Sequence, residues 1–131
     1  MRSIDPPRPR PVPERWTLED ARGETSEWVL REETLIVALK QDCDGCRNFS
    51  DGALDELAQW PVVLVTKEPD ALRSFEGDCH EVFAASELLE ALEVRWPPFY
   101  LLVAPGPGRV LTEGVAFDPA QVASEIRSSL M

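Results

Sequence analysis

Basic residues are scarce in this chain. Thirteen lysines and arginines stand against 24 aspartates and glutamates, for a formal charge of −11. A field of that sign repels phosphate backbones and anionic lipid, so neither nucleic acid nor a membrane surface is expected as partner. Cysteine occurs three times, too few for a disulfide framework and odd in number. No apolar run approaches the roughly 18 uncharged residues a membrane span needs. The first 15 residues hold five prolines and no apolar stretch, so no secretory signal is visible and a cytoplasmic location is expected. The 44% apolar content is ordinary for a globular protein and excludes wholesale disorder. At 131 residues the chain has the length of one domain with one real core.

The charge is uneven. Residues 1–15 carry four arginines and two acids, a net of +2, which leaves −13 on the rest. Residues 1–15 therefore read as a Pro/Arg-rich tail of extended, polyproline-like character, and 16–131 as the folded domain. A PxxP ligand for another domain is the rival reading of the tail.

From residue 34 the pattern is clear. Leu35 to Leu39 is a continuous apolar run, the mark of a strand buried on both faces. Phe49, Ala53 and Leu57 recur at i, i+4, i+8 and predict a helix ending at Trp60-Pro61. Val62 to Val65 is a second buried strand, followed by a short helix from Pro69 to about Phe75 and a third strand over 81–84. Ser86 is expected to cap a helix carrying Leu88, Leu89 and Leu92. Phe99 to Val103 and Arg109 to Ala116 flank Ala104-Pro105-Gly106-Pro107-Gly108, which predicts an antiparallel hairpin. Asp118-Pro119 opens a last helix that buries Val122, Ile126 and Leu130. Residues 16–33 allow two strands turning at Arg22-Gly23, or a helix over 27–33 capped by Ser26; the acids in its first turn favour the helix. The alternation predicts an α/β domain with a central mixed sheet.

Cys43-Asp44-Gly45-Cys46 falls where the first buried strand hands over to a helix. In that context a C-x-x-C reads as a redox motif. The first cysteine sits near the helix start, where unpaired N–H groups favour the attacking thiolate. The second lies one turn on and can reach back to resolve a mixed disulfide. Asp42 and Asp44 flank Cys43 and oppose that effect, while Arg47 supports it. Three other readings stay open. The pair can serve a binding or sensing module without catalysis. Cys43, Cys46, Cys79 and His80 have the ligand types of a Cys3His zinc site, although adjacent Cys79 and His80 would both have to turn to one ion. A hydrolase on Cys43 and His80 lacks an orienting partner and an oxyanion hole.

The second element is Trp96-Pro97-Pro98-Phe99, directly before the hairpin, with Pro98 a candidate cis peptide. Strand, CxxC, helix, strand, helix, this diproline, a hairpin containing Gly114 and a last helix resemble the thioredoxin-like superfamily. The additional strand and helix over 81–92 are similar to its TlpA-like thiol–disulfide oxidoreductases. The resemblance spans residues 34–131 and implies a thioredoxin-like fold. It implies that Cys43 is the exposed nucleophile and Cys46 the buried resolving thiol. Pro98 then matches the proline facing the disulfide, with Pro97, Asp44 and Gly45 beside the substrate and Gly114 keeping the groove open. The implied partners are a disulfide-containing protein or small thiol substrate and a dithiol electron donor, with no metal or organic cofactor and a monomer as the expected state. Two departures stand out. The family's buried acid falls at Val37, and Pro97 has no N–H to offer a docked peptide.

Overall fold

A computed structural model describes residues 10–130. The chain runs β1 (Arg15–Glu19), β2 (Thr25–Val29), β3 (Thr34–Leu39), α1 (Arg47–Ser50), a 3-10 turn (Asp55–Leu57) and β4 (Val62–Thr66). A 3-10 helix (Pro69–Phe75), β5 (Val82–Ala84), α2 (Ser86–Ala91), β6 (Phe99–Ala104), β7 (Arg109–Val115) and α3 (Pro119–Leu130) complete it. The strands form one mixed sheet in the order β2-β1-β5-β4-β3-β6-β7. β3, β4 and β5 are parallel neighbours, and every other pairing is antiparallel.

The sheet is covered on both faces. Along β3, Leu35, Val37 and Leu39 enter one core, and Ile36 and Ala38 enter the other. β6 divides its side chains likewise, with Tyr100 and Leu102 opposite Leu101 and Val103. Successive side chains of a strand point to opposite faces, so central strands read as unbroken apolar runs. The first core takes Cys46 and Phe49 from the α1 side, with Val122, Ala123 and Ile126 of α3; the second takes Leu88, Leu89 and Leu92 from around α2.

Four expectations are corrected. Residues 16–33 form strands rather than a helix capped by Ser26. Trp16 and Trp28 are cross-strand partners whose rings stack at 6.2 Å and 12°, a contact only the hairpin can make. Its turn is set by Gly23 at φ +83° and by Asp20, whose Oδ1 accepts the N–H groups of Arg22 and Glu24. The helix after the cysteines is one turn long, and Ala53 is exposed. The Ser50 carbonyl, which a longer helix would offer to residue 54, accepts the His80 N–H at 2.9 Å. Gly52 follows, where a Cβ would lie 2.2 Å from the Asn48 carbonyl oxygen. In α2 the cap position is Ala85, and Ser86 is the first helical residue. Leu130 is exposed at the end of α3.

The N-terminal segment also differs from a free tail over its described part. Val12 is buried, and its N–H donates to the Gly108 carbonyl at 3.3 Å. Arg10 forms a two-pronged ion pair with Glu113 and donates through Nε to the Leu92 carbonyl at 2.7 Å. That pairing raises the Arg10 pKa, because Glu113 holds the charged form. Residues 1–9 of the expected tail lie outside the described residues.

Candidate active site

The C-terminal end of β3 delivers the chain into the motif. Asp42 turns it with φ +54°, a left-handed geometry that aspartate tolerates better than most residues. From Cys43 the backbone winds in tight i+3 steps: Cys46 N–H to the Cys43 carbonyl at 3.2 Å, Arg47 to Asp44 at 3.1 Å, Asn48 to Gly45 at 3.2 Å. Cys43 therefore heads the winding three residues before the cap position of α1, which Cys46 occupies. The expectation of Cys43 at the helix start is corrected accordingly. Cys43 does act as a cap for the turn, since its Sγ accepts the Cys46 N–H at 3.2 Å.

The two thiols are unequal. Cys43 is half-buried and Cys46 is fully buried among Leu39, Phe49 and the first core. Burial pushes the Cys46 thiol up to about 12, and its hydrogen bond with Cys43 adds to the rise. The Lys40 N–H, 3.4 Å from the Cys46 Sγ, works in the opposite sense. Both cysteines are free thiols in this structure.

Beside Cys43 opens a cavity of about 470 Å³ lined by Asp42, Cys43, Asp44, Arg47, Ser74 and Phe75. Ser74 and Phe75 arrive from the 3-10 helix, and no sequence signal near the motif pointed to them. Gly45 sits within the turn, with open space where a side chain would stand. Pro97 and Pro98 do not line this cavity. They precede β6 where Phe99 pairs with Ala38, so they stand at the same sheet end as the cysteine turn. The Pro97–Pro98 peptide is cis, and the Pro98 carbonyl accepts the Ala116 N–H at 3.1 Å. Gly114 has a different constraint from the expected open groove: a Cβ there would press on the Tyr100 ring and Glu125 at 3.1–3.3 Å. It leaves room for the Tyr100 hydroxyl to donate to Glu125 at 2.8 Å.

Behind α1, the loop 78–80 grips the segment that follows Cys46. The Asp78 carboxylate, 2% exposed, accepts from Arg47 at 2.8 Å and from the Ser50 hydroxyl at 2.7 Å. The Cys79 N–H donates to Asp51 at 2.9 Å, and the His80 ring meets the Gly52 carbonyl at 2.7 Å. Cys79 and His80 are thus engaged with Asp51 and Gly52. Among the described residues no group of three or more His, Cys, Asp or Glu side chains is placed to hold a metal ion. Trp60 is core, whereas Trp96 is 82% exposed.

A mixed sheet with a Cys-x-x-Cys pair following a parallel strand, a diproline at the start of the adjacent antiparallel strand, and a closing hairpin and helix decides the architecture. The fold is thioredoxin-like. Solved structures agree over nearly the whole chain. A Chlorobium tepidum protein described as a candidate thiol:disulfide interchange protein DsbE superposes with a TM-score of 0.64 at 18% identity, covering 98% of this chain and 100% of its own. A thio-disulfide isomerase from Thermus thermophilus gives 0.60 at 14% identity, covering 96% and 97%. A thioredoxin-like protein from Aeropyrum pernix gives 0.59 at 18% identity, covering 88% and 89%. No protein-family model matches the chain, and no curated protein matches it in sequence. The thioredoxin-like comparison is thus one of shape.

Proposed function

We propose that the chain is a thiol–disulfide oxidoreductase in which Cys43 attacks and Cys46 resolves. The observation that carries this reading is the inequality of the two thiols. Cys43 borders a cavity, while Cys46 is sealed beneath it and hydrogen-bonded to it. In the forward step the Cys43 thiolate attacks one sulfur of a disulfide, forms a mixed disulfide and expels the first thiolate. Cys46 gives up its proton and attacks the Cys43 sulfur, so a Cys43–Cys46 disulfide forms and the second thiolate leaves. Two electrons pass from the dithiol to the substrate, and the two protons end on the two released thiols. A second dithiol restores the reduced pair. The substrate is a disulfide-containing protein or a small disulfide, and a reducing compartment such as the cytoplasm suits the cycle. Pro97, Pro98, Asp44 and Gly45 are assigned to the rim on which substrate rests. Asp44 borders the cavity, and the diproline stands at the same sheet end.

Thiol trapping followed by mass spectrometry tests the assignment. Cys43→Ser is expected to form no mixed disulfide. Cys46→Ser is expected to lose turnover by about a thousandfold while accumulating a covalent adduct, because attack proceeds and release does not. Identical behaviour of the two variants, with the wild type inert toward every small disulfide, would overturn the proposal.

A further inference from the structure

Charge around the Cys43 cavity has one cation and two anions in its wall: Arg47, Asp42 and Asp44. The cation is not available to a ligand in full. Arg47 is held at 2.8 Å by Asp78, a carboxylate 2% exposed whose other oxygen takes the Ser50 hydroxyl. Arg47 and Asp78 cancel one another at a distance, which leaves the exposed Asp42 and Asp44 to set the field over the Cys43 sulfur. Lys40 is exposed but lies outside the cavity wall.

From this arrangement we infer that the site prefers disulfides carrying cationic groups beside the sulfur pair, and that buried Asp78 is a specificity-determining residue because it silences Arg47. The inference rests on the redox reading above and extends it to a substrate class. Its logic is additive in charge. A cationic substituent entering the cavity meets two carboxylates, and an anionic one meets the same two with opposite sign. Releasing Arg47 from Asp78 would leave the positive charge already in the wall uncompensated and weaken the preference. The exchange itself is that already written: protein dithiol and disulfide give protein disulfide and two thiols.

The test follows the oxidation of reduced protein by three small disulfides: cystamine, which is dicationic, 2-hydroxyethyl disulfide, which is neutral, and dithiodipropionate, which is dianionic. The cystamine to dithiodipropionate rate ratio is divided by the same ratio for free 2-mercaptoethanol, which removes the intrinsic reactivity of the reagents. The corrected ratio is expected to be about tenfold at low ionic strength and to fall to about twofold at 0.5 M salt. Asp44→Asn, on the exposed rim, should reduce it, and Asp78→Asn should reduce it by freeing Arg47. A lysine-flanked and a glutamate-flanked peptide disulfide repeat the comparison; a larger ratio there assigns the cation to a peptide substrate, and a larger one with cystamine assigns it to a small disulfide. A corrected ratio near one that Asp44→Asn leaves unmoved, with the neutral disulfide still consumed, would overturn the charge inference and leave the redox function standing. Inertness toward all three small disulfides and both peptides would overturn both.

Discussion

The Cys43–Cys46 turn leads into one short helical turn and the Asp78–His80 loop grips that helical turn, and each holds a cysteine whose thiol is harder to ionise than usual. The causes differ. At Cys46 the cause is first burial: the sulfur is sealed among Leu39, Phe49 and the first core. At Cys79, which is exposed, the cause is first the hydrogen bond with Asp51 and then that residue's charge. The same direction of shift therefore marks a sulfur withdrawn from solvent in one case and a sulfur in a local electrostatic contact in the other. Only the first lies in hydrogen-bond contact with a second cysteine, the arrangement on which the proposed redox pair rests.

The comparison breaks most sharply if packing beneath the turn is removed. α1 has one turn and no side-chain cap, so its position depends on what it buries and on the loop that grips it. Phe49 is fully buried and follows Cys46 by three residues. Phe49→Ala is expected to destabilise the domain by about 3–5 kcal/mol, the range for deleting a buried aromatic. The same change should expose Cys46 to alkylation under native conditions, while Cys79 labelling stays near its wild-type rate. Urea unfolding and site-resolved alkylation check both halves. Equal changes at the two cysteines would mean that turn and loop move as one unit.

A smaller effect separates the two thiols through pH. The Cys46 pKa is raised to about 12 in the folded state, against about 8.5 in an unfolded chain. A thiol whose folded pKa is raised stabilises the fold fully below the unfolded value, and that stability drains away as pH climbs toward the folded one. The reduced protein should therefore lose up to about 1.4 kcal/mol of unfolding free energy per pH unit between roughly pH 9 and 12. The oxidised protein and Cys46→Ser lack the Cys46 thiol, although Cys79 still titrates in both, and should lose stability less steeply over this range. Denaturant midpoints of the three forms at pH 8, 9 and 10 provide the measurement. A common slope in all three would assign the alkaline loss elsewhere.

Much of this architecture is legible in the amino-acid sequence. β3, β4 and β6 are unbroken apolar runs because they are buried on both faces, and the Pro/Gly turn chemistry fixes β6 against β7. Cys43 and Cys46 are legible because a C-x-x-C at a strand–helix junction is a local feature. What escapes the sequence is non-local. The Ser26 cap pattern imitates a helix because nothing near it reveals that Trp16 and Trp28 stack across a hairpin. The Phe49, Ala53, Leu57 spacing suits a long helix, yet a loop some thirty residues downstream takes the Ser50 and Gly52 carbonyls and stops it after one turn. The cavity wall contributed by Ser74 and Phe75, and the pairing of Arg47 with Asp78, depend on the same tertiary meeting.

The finest test isolates the electrostatic half of the comparison at Cys79. Asp51 accepts the Cys79 N–H through Oδ1 at 2.9 Å, and that contact holds the Asp51 carboxyl below its usual value. An asparagine keeps an oxygen at that position, so Asp51→Asn preserves the backbone hydrogen bond and deletes only the charge. Removing a neighbouring anion favours a thiolate. Iodoacetamide labelling of Cys79 at pH 8 should therefore accelerate in the variant. Added salt should speed the wild-type reaction by screening Asp51 and should affect the variant less. Cys46 should remain unlabelled throughout, because a buried sulfur is insensitive to a charge it does not face. An unchanged Cys79 rate would mean that access, rather than Asp51, limits its reactivity, and the two cysteines would then differ in degree of exposure alone.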